Sequence, residues 1–169
     1  MDNVQVTLAG PHLVHDLVVA LDYGQFGIYG GYRPHVDYMD LLARAQSGPG
    51  IASYECGAVI LSPHQNNFRM PLRIEVWHQR PPDDESSWEE IMECQLAVET
   101  GELRYESPAV AVTAVCQIPN GQYALRVCGR GFVNRGWPGS TEPGDVWRIQ
   151  LWPIADEFAD RRVKAWQSA

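Results

Sequence analysis

The stretch VAVTAVCQIPNGQYALRV, residues 110–127, decides the fold class of this chain. Its first part, Val110–Ile118, is apolar on both faces, as is typical of a central strand. Pro119–Gly121 is a strong turn signal, because Asn-Gly favours the tight turn of a β-hairpin. The residues that follow alternate between apolar and polar side chains, which predicts a returning strand over 123–127. The stretch therefore indicates a protein built mainly from β-structure.

The same alternation continues on both sides of this stretch. It predicts further short strands at Val4–Leu8, Leu17–Tyr23, Phe26–Ile28, Ala52–Ile60, Leu72–Val76, Met92–Val98, Leu103–Glu106 and Trp147–Leu151. We expect Leu103–Glu106 to return as the hairpin partner of Met92–Val98, whose polar side chains should form an acidic outer face. About eight or nine strands at this spacing predict an antiparallel β-sandwich or flattened barrel.

Two short peripheral helices are predicted as well. Asp37 suits the N-cap of a helix whose apolar residues recur from Tyr38 to Ala45, and Ser47–Gly50 ends it. Asp156 suits the cap of a second helix in the tail, residues 155–169. Because no linker or repeat divides the chain, we expect a single β-rich domain over residues 1–169 with a helical tail at 155–169.

Charge is unevenly distributed along the sequence. The chain has 13 Lys and Arg against 21 Asp and Glu, a formal net charge of -8. Between Pro81 and Pro108 stand nine carboxylates and one base, Arg104, so the whole excess falls within this acidic segment. A negative surface repels phosphate backbones and attracts cationic proteins. We therefore expect no nucleic-acid binding.

The acidic segment supplies the candidate partner-binding residues. They are Asp83, Asp84, Glu85, Glu89, Glu90 and Glu93. The alternative interpretation is that these side chains only form a solvated face, as most charge runs do.

Metal, cofactor and catalytic signals are weak. Cys56, Cys94, Cys116 and Cys128 contain no CxxC pair and fit no zinc spacing, so free core thiols are expected. His12 and His15 form a ligand-like pair, but nothing in the sequence indicates a third ligand among the other histidines, His35, His64 and His78. GxSxG and phosphate-loop motifs are absent. We predict no catalytic residue, no metal site and no cofactor.

Several global features indicate a soluble cytoplasmic protein of bacterial type. No apolar run approaches the roughly 18 residues needed to span a bilayer. The start, Met1–Asn3, lacks the basic and apolar regions of a secretory signal. Cysteines that fit neither a CxxC pair nor a zinc-ligand spacing are expected to be free thiols, which suits a reducing compartment. Arginine outnumbers lysine 12 to 1, which is typical of GC-rich bacterial coding.

Three segments resemble a known family. Leu21–Tyr29 (LDYGQFGIY) is similar to the Tyr-x-Gln-Phe-x-(Ile/Val)-aromatic segment of the competence protein J family, small cytoplasmic inhibitors of a DNA-entry nuclease. Pro119–Leu125 resembles its Pro-x-Gly-x-Tyr-x-Leu strand entry, and Ile51–Glu55 its Ile-Ser-Phe-Glu stretch. Asp145–Pro153 instead looks like the ending of uncharacterised actinobacterial β-sandwich proteins. The resemblance implies a non-catalytic acidic β-sandwich that blocks a cationic protein.

Three functions stay open at this point. The first is an inhibitor or immunity-type protein that uses the acidic segment against a cationic partner such as a nuclease. The second is a small-ligand-binding module that uses tryptophans outside the core pattern, namely Trp77, Trp137 and Trp152. The third is an enzyme whose groups converge from distant strands. The missing motifs favour a binding protein over an enzyme.

Overall fold

The computed structural model describes residues 10–32, 37–109, 114–133 and 143–168. The predicted strand Val4–Leu8, as well as His35 and Trp137, lies outside them. The strands are β1 (Leu13–Leu21), β2 (Gln25–Tyr29), β3 (Ile51–Tyr54), β4 (Gly57–Leu61), β5 (Asn67–Val76), β6 (Glu90–Val98), β7 (Glu102–Glu106), β8 (Ala114–Gln117), β9 (Gly121–Arg130), β10 (Val146–Pro153) and β11 (Arg161–Lys164). The helices are α1 (Tyr38–Ser47) and a short 3-10 helix at Glu85–Ser87.

The strands form two stacked sheets, which confirms the predicted β-sandwich. The six-stranded sheet has the order β1-β5-β10-β9-β6-β11, and the five-stranded sheet has the order β3-β4-β2-β7-β8. Every paired neighbour is antiparallel except β5 and β10, which run parallel. Apolar side chains from both inner faces fill the space between the sheets. Phe26 of the five-stranded sheet meets Trp147 of the six-stranded sheet edge to face, with 5.4 Å between ring centroids.

Helix α1 confirms the predicted helix and its cap. The side chain of Asp37 accepts hydrogen bonds from the backbone N–H groups of Met39 and Asp40, so it satisfies donors that the first turn leaves open. Leu41 and Ala45 are buried against β3 and β4. No helix among the described residues has the length and apolar character needed to cross a membrane.

The predicted hairpin at Asn120-Gly121 was wrong. β8 pairs with β7 in one sheet, whereas β9 pairs with β6 and β10 in the other. The turn therefore carries the chain between the sheets. A long-range hydrogen bond holds it there, because the N–H of Ile118 donates to the carbonyl of Gly101 at 3.0 Å. Within the turn, the hydroxyl of Tyr123 donates to the carbonyl of Pro119 at 2.7 Å.

The predicted pairing of Met92–Val98 with Leu103–Glu106 was also wrong. β6 belongs to the six-stranded sheet, and β7 pairs with β2 and β8 in the five-stranded sheet. Their connection crosses between the sheets through Gly101, whose φ of 71° suits glycine. This crossing lies beside the β8–β9 crossing, because Gly101 also receives the hydrogen bond of Ile118.

The strand predicted as central is an edge strand. Within Val110–Ile118 the structure describes β8, which has one neighbour, β7. Val115 is 48% exposed, whereas Cys116 is buried. Residues 110–113 lie outside the described residues. Apolar character on both faces therefore did not mean burial on both faces at this position.

The predicted helix in the tail 155–169 is replaced by β11. This strand pairs with the edge of β6, with Arg161 opposite Glu93 and Arg162 opposite Met92. Trp166 follows it into the main core. The pairing gives the buried Glu93 a guanidinium partner, which a helix capped at Asp156 would not supply.

The four cysteines are buried and form no disulfide, and they provide a first prediction. Burial raises the pKa of the Cys116 and Cys128 thiols to about 11, and it raises the pKa of Cys94 further. We expect a thiol reagent at mildly alkaline pH to label the native protein very slowly, because the reactive thiolate is scarce and shielded. In denaturant without reductant the same reagent should label four thiols. A count of two or none would show that the native protein contains disulfides.

Candidate functional site

The acidic segment begins in a connection that lies across the six-stranded sheet. Residues 77–89, here called the crossing segment, join β5 to β6, and β10 and β9 lie between those two strands. Trp88 anchors the segment: its ring lies 4.8 Å from the guanidinium carbon of Arg130 and 4.5 Å from that of Arg148. It also packs on Ile91 and Cys128. Cation–π contacts and burial thus hold the segment on the outer face of the sheet.

A polar row runs across that outer face. Strand register places Glu75, Gln150, Arg126, Glu93 and Arg161 side by side on five consecutive strands. Neighbouring side chains in the row bond each other: the amide of Gln150 donates to Glu75 at 2.9 Å, and Nε of Arg126 donates to Glu93 at 2.8 Å. Alternating charge therefore stabilises the sheet from outside the core.

Asp84 is bound to this face by an arginine. Both guanidinium Nη atoms of Arg148 donate to its carboxylate, at 2.6 and 2.9 Å. These hydrogen bonds lower the pKa of Asp84, although partial burial opposes them. Bidentate pairs of this kind are among the stronger ion pairs in proteins. Asp84 thus fastens the crossing segment to β10.

Glu93 lies at the centre of the cluster and is fully buried. It accepts hydrogen bonds from Arg126 and from Arg161, whose Nε lies 2.7 Å from Oε2, and Arg80 lies 3.4 Å from Oε1. Burial works to raise the pKa of Glu93, but the hydrogen bonds from Arg126 and Arg161 outweigh it, so the pKa is lowered. The predicted acidic outer face was therefore wrong at Glu93, because three arginines cover this carboxylate.

Glu90 and Glu89 are also engaged inside the protein. Glu90 is buried, accepts a hydrogen bond from the N–H of Trp166 at 2.7 Å and pairs with Arg162 at 3.1 Å. Glu89 accepts hydrogen bonds from the N–H groups of Gly131 and Phe132. Both carboxylates bind neighbouring segments of this chain.

Asp83 and Glu85 differ from the other candidates. Asp83 is exposed and Glu85 is half-exposed, and neither forms an ion pair with an arginine or lysine among the described residues. Oδ1 of Asp83 accepts a hydrogen bond from the N–H of Glu85 at 2.9 Å, which holds the two residues together. The six candidates therefore do not form one continuous patch, and their contact with a partner stays a prediction.

The distribution of charge between the two sheets differs from its distribution along the sequence. Nine of the eleven described arginines and lysines lie in the six-stranded sheet and its connections, which carry twelve described carboxylates. The five-stranded sheet with α1 and its connections, residues 22–32, 37–62 and 99–117, has seven described carboxylates and two arginines. The less compensated negative charge thus lies on the side opposite the crossing segment.

A buried histidine–aspartate pair resembles part of a catalytic triad. Nδ1 of His64 lies 2.6 Å from Asp145, which also accepts hydrogen bonds from Asn67 and from the indole of Trp147. The N–H of Val133 donates to Nε2 of His64 at 3.2 Å. Because Nε2 is an acceptor there, Nδ1 carries the proton, and both ring nitrogens are engaged. The imidazole is fully buried and joins two loops.

The two histidines considered as metal ligands do not converge. The ring of His12 stacks on that of His78, with 3.9 Å between centroids, and Nε2 of His15 lies 3.0 Å from the carbonyl oxygen of Gln117. Within the described part of the chain, no three His, Cys, Asp or Glu side chains form a metal-binding group.

A cavity on the outer face of the six-stranded sheet bears on the small-ligand hypothesis. Its volume is about 500 Å³, and its walls include Trp88, Arg73, Arg130 and Arg148. Trp77 and Trp152 are not in its walls, and Trp137 lies outside the described residues. Trp152 is buried and meets Phe158 edge to face. Sequence reasoning missed this cavity because its walls come from β1, β5, β9, β10 and the crossing segment, which become neighbours only in the folded sheet.

Comparisons with known proteins extend the family resemblance to the whole fold. No family model matches the chain, and no curated protein matches its sequence. Among solved structures, the chain is similar to ComJ, inhibitor of the DNA degrading activity of NucA, from Bacillus subtilis, with a TM-score of 0.56, 14% identity, and coverage of 83% of this chain and 96% of that one. It is also similar to the crocagin biosynthetic gene J product, with a TM-score of 0.58, 12% identity, and coverage of 85% and 98%. The resemblance to the competence protein J family is thus confirmed for the fold.

The buried carboxylate Glu93 provides a stability prediction. We expect Glu93→Gln to lower the free energy of unfolding by about 3–5 kcal/mol, because Arg126 and Arg161 would lose a buried charged partner. The matched control is Asp83→Asn, which removes an exposed carboxylate of the same segment and should change stability by less than about 0.5 kcal/mol. Chemical denaturation followed by tryptophan fluorescence measures both. Equal stability of the two variants would contradict the buried cluster.

The same residue predicts how stability depends on pH. The pKa of Glu93 lies below its ordinary value of 4.5 in the folded protein, so the unfolded chain binds the proton first as the pH falls. Stability is therefore fully present above pH 4.5 and is lost as the pH drops through the lowered pKa. We expect Glu93→Gln to show a shallower loss in acid than the wild type. An equal loss of stability in acid for the wild type and Glu93→Gln would show that protonation of Glu93 is not coupled to folding.

Proposed function

We propose that this chain is a non-catalytic, inhibitor-type protein of the cytoplasm that binds and blocks a cationic protein such as a nuclease. The observation that carries the proposal is the fold shared with ComJ, an inhibitor of a DNA-degrading activity, over 83% of this chain. None of the four cysteines is in a disulfide, which suits a reducing compartment.

The state of the reactive side chains supports a binding role over an enzymatic one. His64 has both ring nitrogens engaged inside the protein. Each cysteine is buried, and burial raises the pKa of Cys94, Cys116 and Cys128. Catalytic bases and nucleophiles need access to a substrate and a pKa near the working pH. His64 and the four thiols are buried away from substrate, and the raised pKa of Cys94, Cys116 and Cys128 keeps those three thiols protonated.

The net charge of -8 supports a cationic partner. Opposite charges speed the encounter of two proteins and suppress wrong partners, even where no single ion pair adds much affinity. Of the six carboxylates that the sequence proposes for partner binding, Asp83 and Glu85 are best placed for this steering, because Asp84, Glu90 and Glu93 are bound to arginines of the same chain. Glu89 is held by backbone N–H groups.

A small-ligand-binding module is the second candidate function, favoured by the cavity of about 500 Å³ beside Trp88. A ligand bound there would contact the indole. Saturable quenching of the tryptophan signal by a small molecule, lost in Arg148→Ala, would support this candidate over the inhibitor.

Inhibition is tested with the partner itself. The tagged chain is incubated with lysate of its native host, and retained proteins are identified at low and high ionic strength. We expect one basic protein to be retained in near-equimolar amount at low ionic strength. Its binding should weaken steeply as salt is added, because exposed charges are screened. The purified partner should lose its activity, DNA degradation in the case of a nuclease, as one equivalent of the chain is added. Full activity at saturation would refute the inhibitor proposal.

Steering is tested by charge reversal at matched positions. Where these two carboxylates steer the partner, Asp83→Lys with Glu85→Lys slows association severalfold and changes dissociation little, since peripheral charges act mainly on the encounter rate. The control is Asp156→Lys with Glu157→Lys, the same change in net charge at two exposed positions of the β10–β11 connection. Stopped-flow or surface-binding kinetics compare them. Equal association rates would show that the crossing segment does not face the partner.

A further inference from the structure

We infer that the partner docks on the open half of the outer face of the five-stranded sheet, and that the docking surface of the partner is cationic. This inference rests on the proposed function and names the surface that carries it. Because that surface lies on the side opposite Asp83 and Glu85, it predicts equal association rates in the charge-reversal comparison of those two residues. Helix α1 packs on β3 and β4. The outer faces of β2, β7 and β8 extend beyond it, and we call them the open face.

Strand register places three outward side chains in a row on the open face. Tyr29 of β2 lies opposite Arg104 of β7, and Arg104 lies opposite Val115 of β8. The residues between them along β2 and β7, such as Ile28 and Tyr105, point into the core. The row therefore points away from the core on three adjacent strands.

Arg104 is held in the middle of this row by two aromatic rings. Its guanidinium carbon lies 5.4 Å from the centre of the Tyr29 ring and 4.4 Å from that of Tyr32. Oε1 of Glu106 lies 2.7 Å from Nε of Arg104. Cation–π contact and an ion pair thus fix a long side chain in one conformation before any partner arrives.

The position of the Tyr29 ring beside Arg104 depends on a glycine. A Cβ atom at Gly27 would lie 2.7 Å from the ring of Tyr29, so the ring occupies space that only glycine leaves open. Nearby, the hydroxyl of Tyr38 donates a hydrogen bond to the side chain of Gln25. Burial first, and then the charge of Glu106, raises the pKa of Tyr38 to about 12, so this phenol stays neutral at physiological pH. The base of the surface is therefore rigid.

The composition of the open face is that of a binding hot spot. Tyrosine and arginine are enriched among the residues that contribute most to protein interfaces. Tyr32 is 71% exposed, and Val115 is 48% exposed. Exposed aromatic area on a fixed base loses little conformational entropy on binding, which favours affinity. These residues are available to a partner and are already ordered.

The charge of the five-stranded side indicates which class of protein binds the open face. The five-stranded side has seven described carboxylates against two arginines, and Arg104 is already paired with Glu106. Glu102 lies on the same outward side of β7, two residues from Arg104. An approaching surface therefore meets a negative field around a neutral tyrosine–arginine centre. Lysines and arginines of a protein partner complement that field.

Site-directed photo-crosslinking in the native host locates the surface. A benzophenone amino acid replaces Tyr32 or Val115 on the open face, and Val18 or Phe68 on the six-stranded sheet as matched exposed controls. We expect positions 32 and 115 to give the same basic protein adduct and positions 18 and 68 not to give it. If only positions 18 and 68 give the adduct, the open face is wrong and the proposed function stands. If no position gives an adduct although the pull-down retains a basic protein, the open face is wrong and the proposed function stands. If the pull-down retains none, the proposed function fails, and this inference fails with it.

Affinity measurements with the protein identified in this way complete the test. We expect Tyr32→Ala and Arg104→Ala each to weaken binding at least tenfold, mainly through faster dissociation. Val18→Ala, at an equally exposed apolar position, should stay within twofold of the wild type. Circular dichroism and the Tm establish that each variant is folded. Wild-type affinity in both open-face variants, or an acidic protein as the adduct, would overturn the inference.

Discussion

Glu93 is a carboxylate with no access to solvent, and three arginines from three different parts of the chain surround it. Such a group is costly to bury alone and is tolerated only when its charge and its hydrogen bonds are satisfied. Its presence in β6 therefore requires β9 and β11 on either side and Arg80 of the crossing segment above. The same requirement collects basic residues on the six-stranded sheet and leaves the opposite side of the sandwich with little positive charge.

Much of the local structure could be predicted from the sequence. Alternation identified the inward residues of β1, β5 and β10, and Asp37 identified the start of α1, because both signals depend on neighbours along the chain. Sheet membership could not be predicted in this way. Asn120-Gly121 has the chemistry of a hairpin turn, yet contacts of Ile118 with Gly101 decide that the chain passes to the other sheet. Turn chemistry fixes a local bend and leaves the choice of partner strand to distant residues.

The candidate site was the least predictable part, for the same reason. The carboxylates of the acidic segment are adjacent in sequence, but Arg126 and Arg161, which neutralise Glu93, are 33 and 68 residues away from it. Counting charge along the chain therefore does not distinguish the internal ion cluster at Glu93 from the more exposed carboxylates Asp83 and Glu85. The tyrosines beside Arg104 were overlooked as well, because β2 and β7 become neighbours only after the sheet has formed.

The position of β10 imposes an order of assembly. This strand lies between β5 and β9, yet it is the last of the three along the chain. Until residues 146–153 have left the ribosome, β5 and β9 each lack one neighbour. Unpaired strand edges template association with other chains, and strand pairing between distant segments is slow. The nascent protein thus passes through a stage in which the edges of β5 and β9 that β10 later covers are open to other chains.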